Sequence, residues 1–219
     1  MSLLTRVAPF TNAGHIFLAA IQEVTQALHS FLGKTYRNAK IGQPSPVGTT
    51  LPNALEFLSV TADDKFPTRL LLLETHNGYT SVFNNAWRSR GWFEMAFPLT
   101  KSHPFQDVYF QSQPNTIRKT EGGLTGQYGA LQFIRVADGQ ITRLIELVND
   151  GGRWVFSTQG TPEPFEDLKA YEAPRKPDRF TAALLQKYLA ALDLAPFDDQ
   201  FFLVDEQHPG IGFEITNKP

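Results

Sequence analysis

Residues 130–158, ALQFIRVADGQITRLIELVNDGGRWVFST, constrain the fold more than any other stretch of the chain. Three β-type apolar runs are separated by Asp138-Gly139 and by Asn149-Asp150-Gly151-Gly152, residue types that tolerate the positive φ of tight turns matched to strand twist. The segment is predicted to be a three-stranded antiparallel meander. Arg69 to His76 and Tyr79 to Asn84 flank Asn77-Gly78, the preferred type I′ pair, and predict a two-residue hairpin in the first half. The pattern Thr68-Arg69-Leu70-Leu71 followed by Val82-Phe83 parallels Thr142-Arg143-Leu144-Ile145 followed by Val155-Phe156. Hairpins share physics, so duplication and chance both stay open.

Helical spacing of Phe17, Ala20, Ile21, Val24, Leu28, Phe31 and Leu32 predicts a helix from Thr11 or Asn12 that Gly33 stops. Thr181 caps a second helix whose apolar stripe is Leu184, Leu185, Tyr188, Leu189 and Leu192. Residues 34–53 read as a long surface connection, and 54–60 as either a strand or a short helix. A helix after Gly91 would be interrupted by Pro98, residues 106–113 read as a strand, and 159–179 wrap the core. Two short β-type runs flank Pro209-Gly210, and the second returns to the sheet. Strands and helices do not alternate, so the fold class expected is α+β: an antiparallel sheet of hairpin and meander, covered by helices near 12–32 and 181–193. A single domain spanning 1–219 is expected, and the Gly- and Thr-rich loop before residue 129 is where it would divide into subdomains 1–128 and 129–219.

A chain of 219 residues buries roughly 70% of its unfolded surface, enough for a core without staples. Most of the 18 phenylalanines are expected in that core. No cysteine is present, which removes disulfides and thiolate chemistry and fits a cytoplasmic location. No run is long and apolar enough to span a bilayer, so no membrane role is expected. With 20 Lys and Arg against 22 Asp and Glu, no basic block offers affinity for nucleic acid.

No two of the five histidines stand at i, i+4 spacing, so neither metal nor cofactor is expected. His15 and His29 read as structural. His103 and Asp107 have helical spacing, but Pro104 and the β-type run Val108-Tyr109-Phe110 argue for a loop histidine. No Gly-x-Ser-x-Gly elbow occurs, and Gly42 and Gly48 make no phosphate loop. Glu163, Glu166, Asp167 and Glu172 lie on a proline-broken segment and read as solvated charges, since shifted carboxylates need burial. Phe165 would pin Glu166 near the core, with Arg153, Arg175 or Arg179 as its partner in a structural ion pair.

The block from Asn149 to Leu192, with Asp-Gly-Gly-Arg-Trp-Val-Phe, Pro-Phe-Glu and Asp178-Arg179-Phe180-Thr181, resembles bacterial proteins of no assigned activity. Leu51-Pro52, Phe57-Leu58 and Asn77-Gly78 resemble the bacterial immunity proteins related to yeast cell-wall regulators, although in that family the Asn-Gly follows sooner. The second resemblance implies an immunity-like binding role; neither carries over a functional residue.

The function expected is therefore that of a soluble cytoplasmic binding or interaction protein whose partner is another protein; the sequence leaves its oligomeric state open. No catalytic residue is assigned. Trp87, Arg88, Arg90 and Trp92 are the candidate binding residues, because indole and guanidinium groups dominate binding hot spots. Burial of both indoles in the core is the competing role. The alternative function is a small-molecule enzyme using carboxylates and arginines in a cleft, for which a deep pocket with converging polar groups would be the mark.

Overall fold

Thirteen strands and five α-helices occur among the described residues, 10–59, 68–85, 94–149 and 151–217 of a computed structural model. In chain order they are β1 (Ala13–Phe17), α1 (Ile21–Thr35), β2 (Ala39–Ile41), β3 (Ser45–Gly48), α2 (Leu51–Glu56), β4 (Thr68–Thr75), β5 (Thr80–Asn84), α3 (Ala96–Ser102) and β6 (Gln106–Gln113). There follow β7 (Arg118–Thr120), β8 (Gly123–Thr125), β9 (Ala130–Ala137), β10 (Gln140–Asn149), β11 (Trp154–Gly160), α4 (Lys176–Arg179), α5 (Ala182–Ala190), β12 (Phe202–Leu203) and β13 (Gly210–Asn217). Eleven strands form one antiparallel sheet in the order β11-β10-β9-β6-β1-β5-β4-β13-β2, with β12 paired to β4 and β3 to β13. The class is α+β, as expected.

The meander is present as β9, β10 and β11. Asp138 (φ 51°) and Gly139 (φ 72°) both take positive φ between the paired Ala137 and Gln140, which makes a two-residue turn of the I′ kind. The first-half hairpin, β4 and β5, closes differently. Thr75 N donates to Tyr79 O and Gly78 N to Thr75 O, so the loop is the three residues 76–78, with Gly78 alone at positive φ (77°). The Asn77 side chain instead donates to the carbonyl of Asp193, 2.9 Å away. The expected two-residue turn is thus replaced by a three-residue loop tied to the segment after α5.

The predicted first helix begins too early. Residues 13–17 are β1, a central strand between β5 and β6, and the helix starts at Ile21 with no side-chain cap. Ile16 enters the core on one face of the sheet and Phe17 that on the other. A strand buried on both faces is apolar throughout, so its residues can be fitted to a helical period as readily as to an alternating one. The helix also runs through Gly33 to Thr35.

The segment 34–53, expected as loop, contains β2, β3 and the start of α2, which Thr50 caps by accepting from Asn53 N. Pro98 does not interrupt α3: it lies in the first turn, where its missing N–H has no intrahelical partner to lose. Residues 114–129 carry the small β7–β8 hairpin beside the main sheet. Thr181 caps α5 by accepting from Leu184 N, as expected, and Leu185, Tyr188 and Leu189 are its buried face.

Helices lie on both faces of the sheet. The four leucines of β4, Leu70 to Leu73, are fully buried and alternate between the two layers. Leu70 and Leu72 pack with Phe17, Val82, Phe213 and the α1 side chains Val24, Leu28 and Leu32, and α3 adds Leu99. Leu71 and Leu73 face the other way, with Phe83, Phe110, Phe133 and residues of α2 and α5. β13 sits between β4 and β2, and β6 pairs with β9 along its whole length, so one sheet runs across residue 128. The two similar hairpins occupy unlike places: β5 lies inside the sheet beside β1, and β11 forms an edge.

Candidate functional site

Trp87, Arg88, Arg90 and Trp92, the candidate binding residues, lie outside the described residues. Of the four carboxylates of the proline-broken segment, Glu172 is exposed as expected, but Glu163 and Glu166 are not plain solvated charges. Glu163 pairs with Arg135, and Glu166 has a fully buried side chain bonded to Arg143.

Arg143, rather than Arg153, Arg175 or Arg179, is the Glu166 partner. Arg143 Nε donates to Glu166 Oε1 at 2.7 Å and Nη2 to Oε2 at 2.5 Å, a two-pronged contact suited to the planar guanidinium. Nη1 donates to the carbonyls of Gln159 and Gly160 at 3.0 Å each. The Glu163 amide and the Tyr171 hydroxyl also donate to Glu166, at 2.8 and 2.9 Å. Burial alone would raise the Glu166 pKa, but the bonds from Arg143, Glu163 N and Tyr171 outweigh it and hold the carboxyl below its ordinary range. Burial, with the bonds to Tyr188 and Glu166, raises the Tyr171 hydroxyl far above its usual value, so it stays a donor. Every partner in this network is internal, which makes it a fastener between β10 and the 163–171 segment.

A second buried pair joins residues 92 positions apart. His15 Nδ1 lies 2.9 Å from Asp107 Oδ2, across the β1–β6 register, and both side chains are almost wholly buried. The ring of Tyr109 lies 5.0 Å from that of His15. Desolvation raises the Asp107 pKa, and the neighbouring imidazole only partly offsets it. Sequence spacing pairs Asp107 with His103, but in the fold its partner is His15, and His103 stacks on Phe105 instead. Strand register brings this pair together, and local spacing carries no trace of it.

Three concavities formed by described residues have volumes of about 260, 290 and 370 Å³. The smallest is apolar and lies under α5, lined by Leu189, Leu194, Pro196 and Phe197. The largest is a wide dish between the 76–78 loop and the residues after α5, with Asp193 and Asp198 on its walls. The third combines an apolar floor with polar walls. It lies where the first two turns of α1 cross the ends of β4 and β13, and Ile21, Pro44, Pro209 and Ile211 make its floor.

Its polar walls are built by three elements. Gln22, Thr25 and Gln26 come from α1, where i, i+3 and i+4 positions share a face. Glu74 comes from the end of β4, on the same sheet face as Leu70 and Leu72. His208 comes from the loop before β13, which Asp205 shapes: its Oδ1 accepts from the amides of Gln207 and His208, both at 2.8 Å, and lies 3.0 Å from His208 Nδ1. Chiefly through the His208 amide, these bonds keep the Asp205 carboxyl below its usual range. The imidazole is therefore held with Nδ1 toward a carboxylate. Two groups of the pocket wall stand apart: the Thr25 hydroxyl oxygen is buried without a hydrogen-bond partner, and the half-buried Glu74 carboxylate has no ion-pair partner among the described residues.

Sequence reading passed over this pocket because its contributors are scattered over residues 21–26, 44, 74 and 207–211. The one local signal is Asp205-x-Gln207-His208-Pro209-Gly210, in which an Asx turn precedes a Pro-Gly pair. Compared with known proteins, the chain matches no family model, no curated protein and no solved structure.

Proposed function

We propose that this protein acts by binding, and that it seats a small, partly apolar group in the pocket between α1, β4 and β13. The observation that carries this reading is the pairing of an apolar floor with two polar groups: Thr25 Oγ1, buried without a hydrogen-bond partner, and the Glu74 carboxylate, which has no ion-pair partner among the described residues. A buried polar atom left unsatisfied costs about 1–3 kcal/mol, and a ligand that satisfies it recovers that cost. Sites of this kind are concave, mostly apolar and furnished with a few placed polar groups. The partner is proposed to be another protein or a small molecule that presents such a group, and immunity to a toxin is the binding role that the Leu51-Pro52 and Phe57-Leu58 resemblance suggests. A toxin gene beside this one supports that role; a metabolic operon counts against it.

The competing reading, an enzyme with carboxylates and arginines in a cleft, finds less support. Arg143 and Glu166 are sealed against each other, no arginine lines the three pockets described, and among the described residues no hydroxyl is hydrogen-bonded to His208.

The test is protein-observed NMR with a library of small mixed polar and apolar fragments. Amide shifts clustered at residues 21–26, 74 and 207–211 are expected, and Gln22→Trp, which fills the pocket from an exposed helix position, should abolish them with little change in melting temperature. Fragments that shift other regions only, or shifts unaffected by Gln22→Trp, would overturn the reading.

A further inference from the structure

Resting on that reading, we infer that the group seated in the α1 pocket is a cation, an ammonium or guanidinium on a short aliphatic stem, with its charge on Glu74 and an N–H donated to Thr25 Oγ1.

The polar wall is rich in acceptors, and its one charged side chain, Glu74, can only accept. Thr25 has unused lone pairs. The Gln22 and Gln26 side chains each offer a carbonyl beside their amide N–H groups, and His208 has its Nδ1 3.0 Å from Asp205 Oδ1. An ammonium has three donors and no acceptor, the complement of such a wall. Charge points the same way. Among the described residues no Lys or Arg lines the pocket and the half-buried Glu74 has no ion-pair partner, and Asp205 and Glu206 place two further carboxylates in the loop that forms one side. An anionic ligand would meet this field with no cation to offset it. The floor of Ile21, Pro44, Pro209 and Ile211 is apolar and suits a methylene stem, as lysine and arginine side chains use elsewhere. A volume of about 290 Å³ holds such a group and little more.

The chemistry has two sources, a free alkylamine and a lysine side chain of a partner protein. Titration of the full chain, followed by NMR, therefore uses n-butylammonium, 1-butanol and butyrate, which share one carbon skeleton and differ in charge. A fourth probe, Nα-acetyl-lysine N-methylamide, carries the same stem on a peptide backbone. The cation is expected to bind at least about tenfold more tightly than the alcohol, and butyrate not at all, since a charged hydrogen bond is stronger than a neutral one. Glu74→Gln should remove most of that preference, Thr25→Val should weaken the cation several-fold, and Glu56→Gln on the opposite face should change nothing. Binding of the capped lysine equal to or tighter than that of butylammonium assigns the site to a partner's side chain, and weaker binding assigns it to a free amine; both sustain the inference. Equal affinity for the cation and the alcohol, or a preference for the cation that survives Glu74→Gln, overturns it and leaves the pocket a binding site of another kind. No shift with any of the four probes, and none in the fragment library, overturns both.

Discussion

Arg143 and Glu166 show how one residue pair can decide whether two segments stay together. Removing Arg143 leaves a buried carboxylate without its guanidinium, a change that typically costs about 3–5 kcal/mol. Arg143→Met is therefore expected to lower stability by that order, as read by urea denaturation, and Arg143→Met with Glu166→Leu to recover much of the loss, because an apolar pair leaves no stranded charge. The Glu166 carboxyl, held below its ordinary range, contributes stability that is complete above the glutamate pKa of the unfolded chain and disappears as pH falls through the lower folded value. Melting temperature followed downward from about pH 5 should fall less steeply in Glu166→Gln than in the parent chain. An identical acid limb in the two would show that other carboxylates govern acid unfolding. Phe165 beside it makes Glu166 legible in the sequence as a carboxylate held near the core, but nothing local points to Arg143 as its partner. The partner came from β10, because sheet register and not proximity along the chain chooses such pairs.

Turns and strands differ in how far their own residues dictate them. Gly78 (φ 77°) has open space around its missing Cβ, so Gly78→Val is penalised by backbone strain alone, about 1 kcal/mol or more. Gly160 (φ 85°) has both penalties, since a Cβ there would stand 2.0 Å from the carbonyl oxygen of Thr142. Gly160→Ala should accordingly destabilise more than Gly78→Val despite the smaller side chain, and thermal denaturation of the two variants checks the order. The meander and the cap of α5 were legible because Asp-Gly and Thr carry their own geometry. The β1 strand was not: Gly14-His15-Ile16-Phe17 is buried on both faces, and only the neighbours β5 and β6 make it a strand. The pocket was not legible either, since its walls come from distant parts of the chain and the one local signal, the Asx turn before Pro209-Gly210, marks a turn and not a cavity.

On the scale of the whole molecule, the sheet joins what the chain separates. β4 pairs with β13, and β6 with β9, so residues 1–128 alone would carry two interior strands with one side unpaired. Expressed by itself, that fragment should lack dispersed amide signals and bind dyes that report exposed apolar surface; a dispersed, cooperatively melting fragment would show that the first half is autonomous. Pairings this distant in sequence also slow folding, because loop closure precedes the contacts that reward it. The position of β13 has a consequence for synthesis. α1 leaves the ribosome early, yet its pocket lacks floor and rim until residues 207–211 have emerged, so a stalled or shortened chain could fold its first hairpin and still be unable to hold a ligand. Ligand binding would then be a property that only translation through β13 confers.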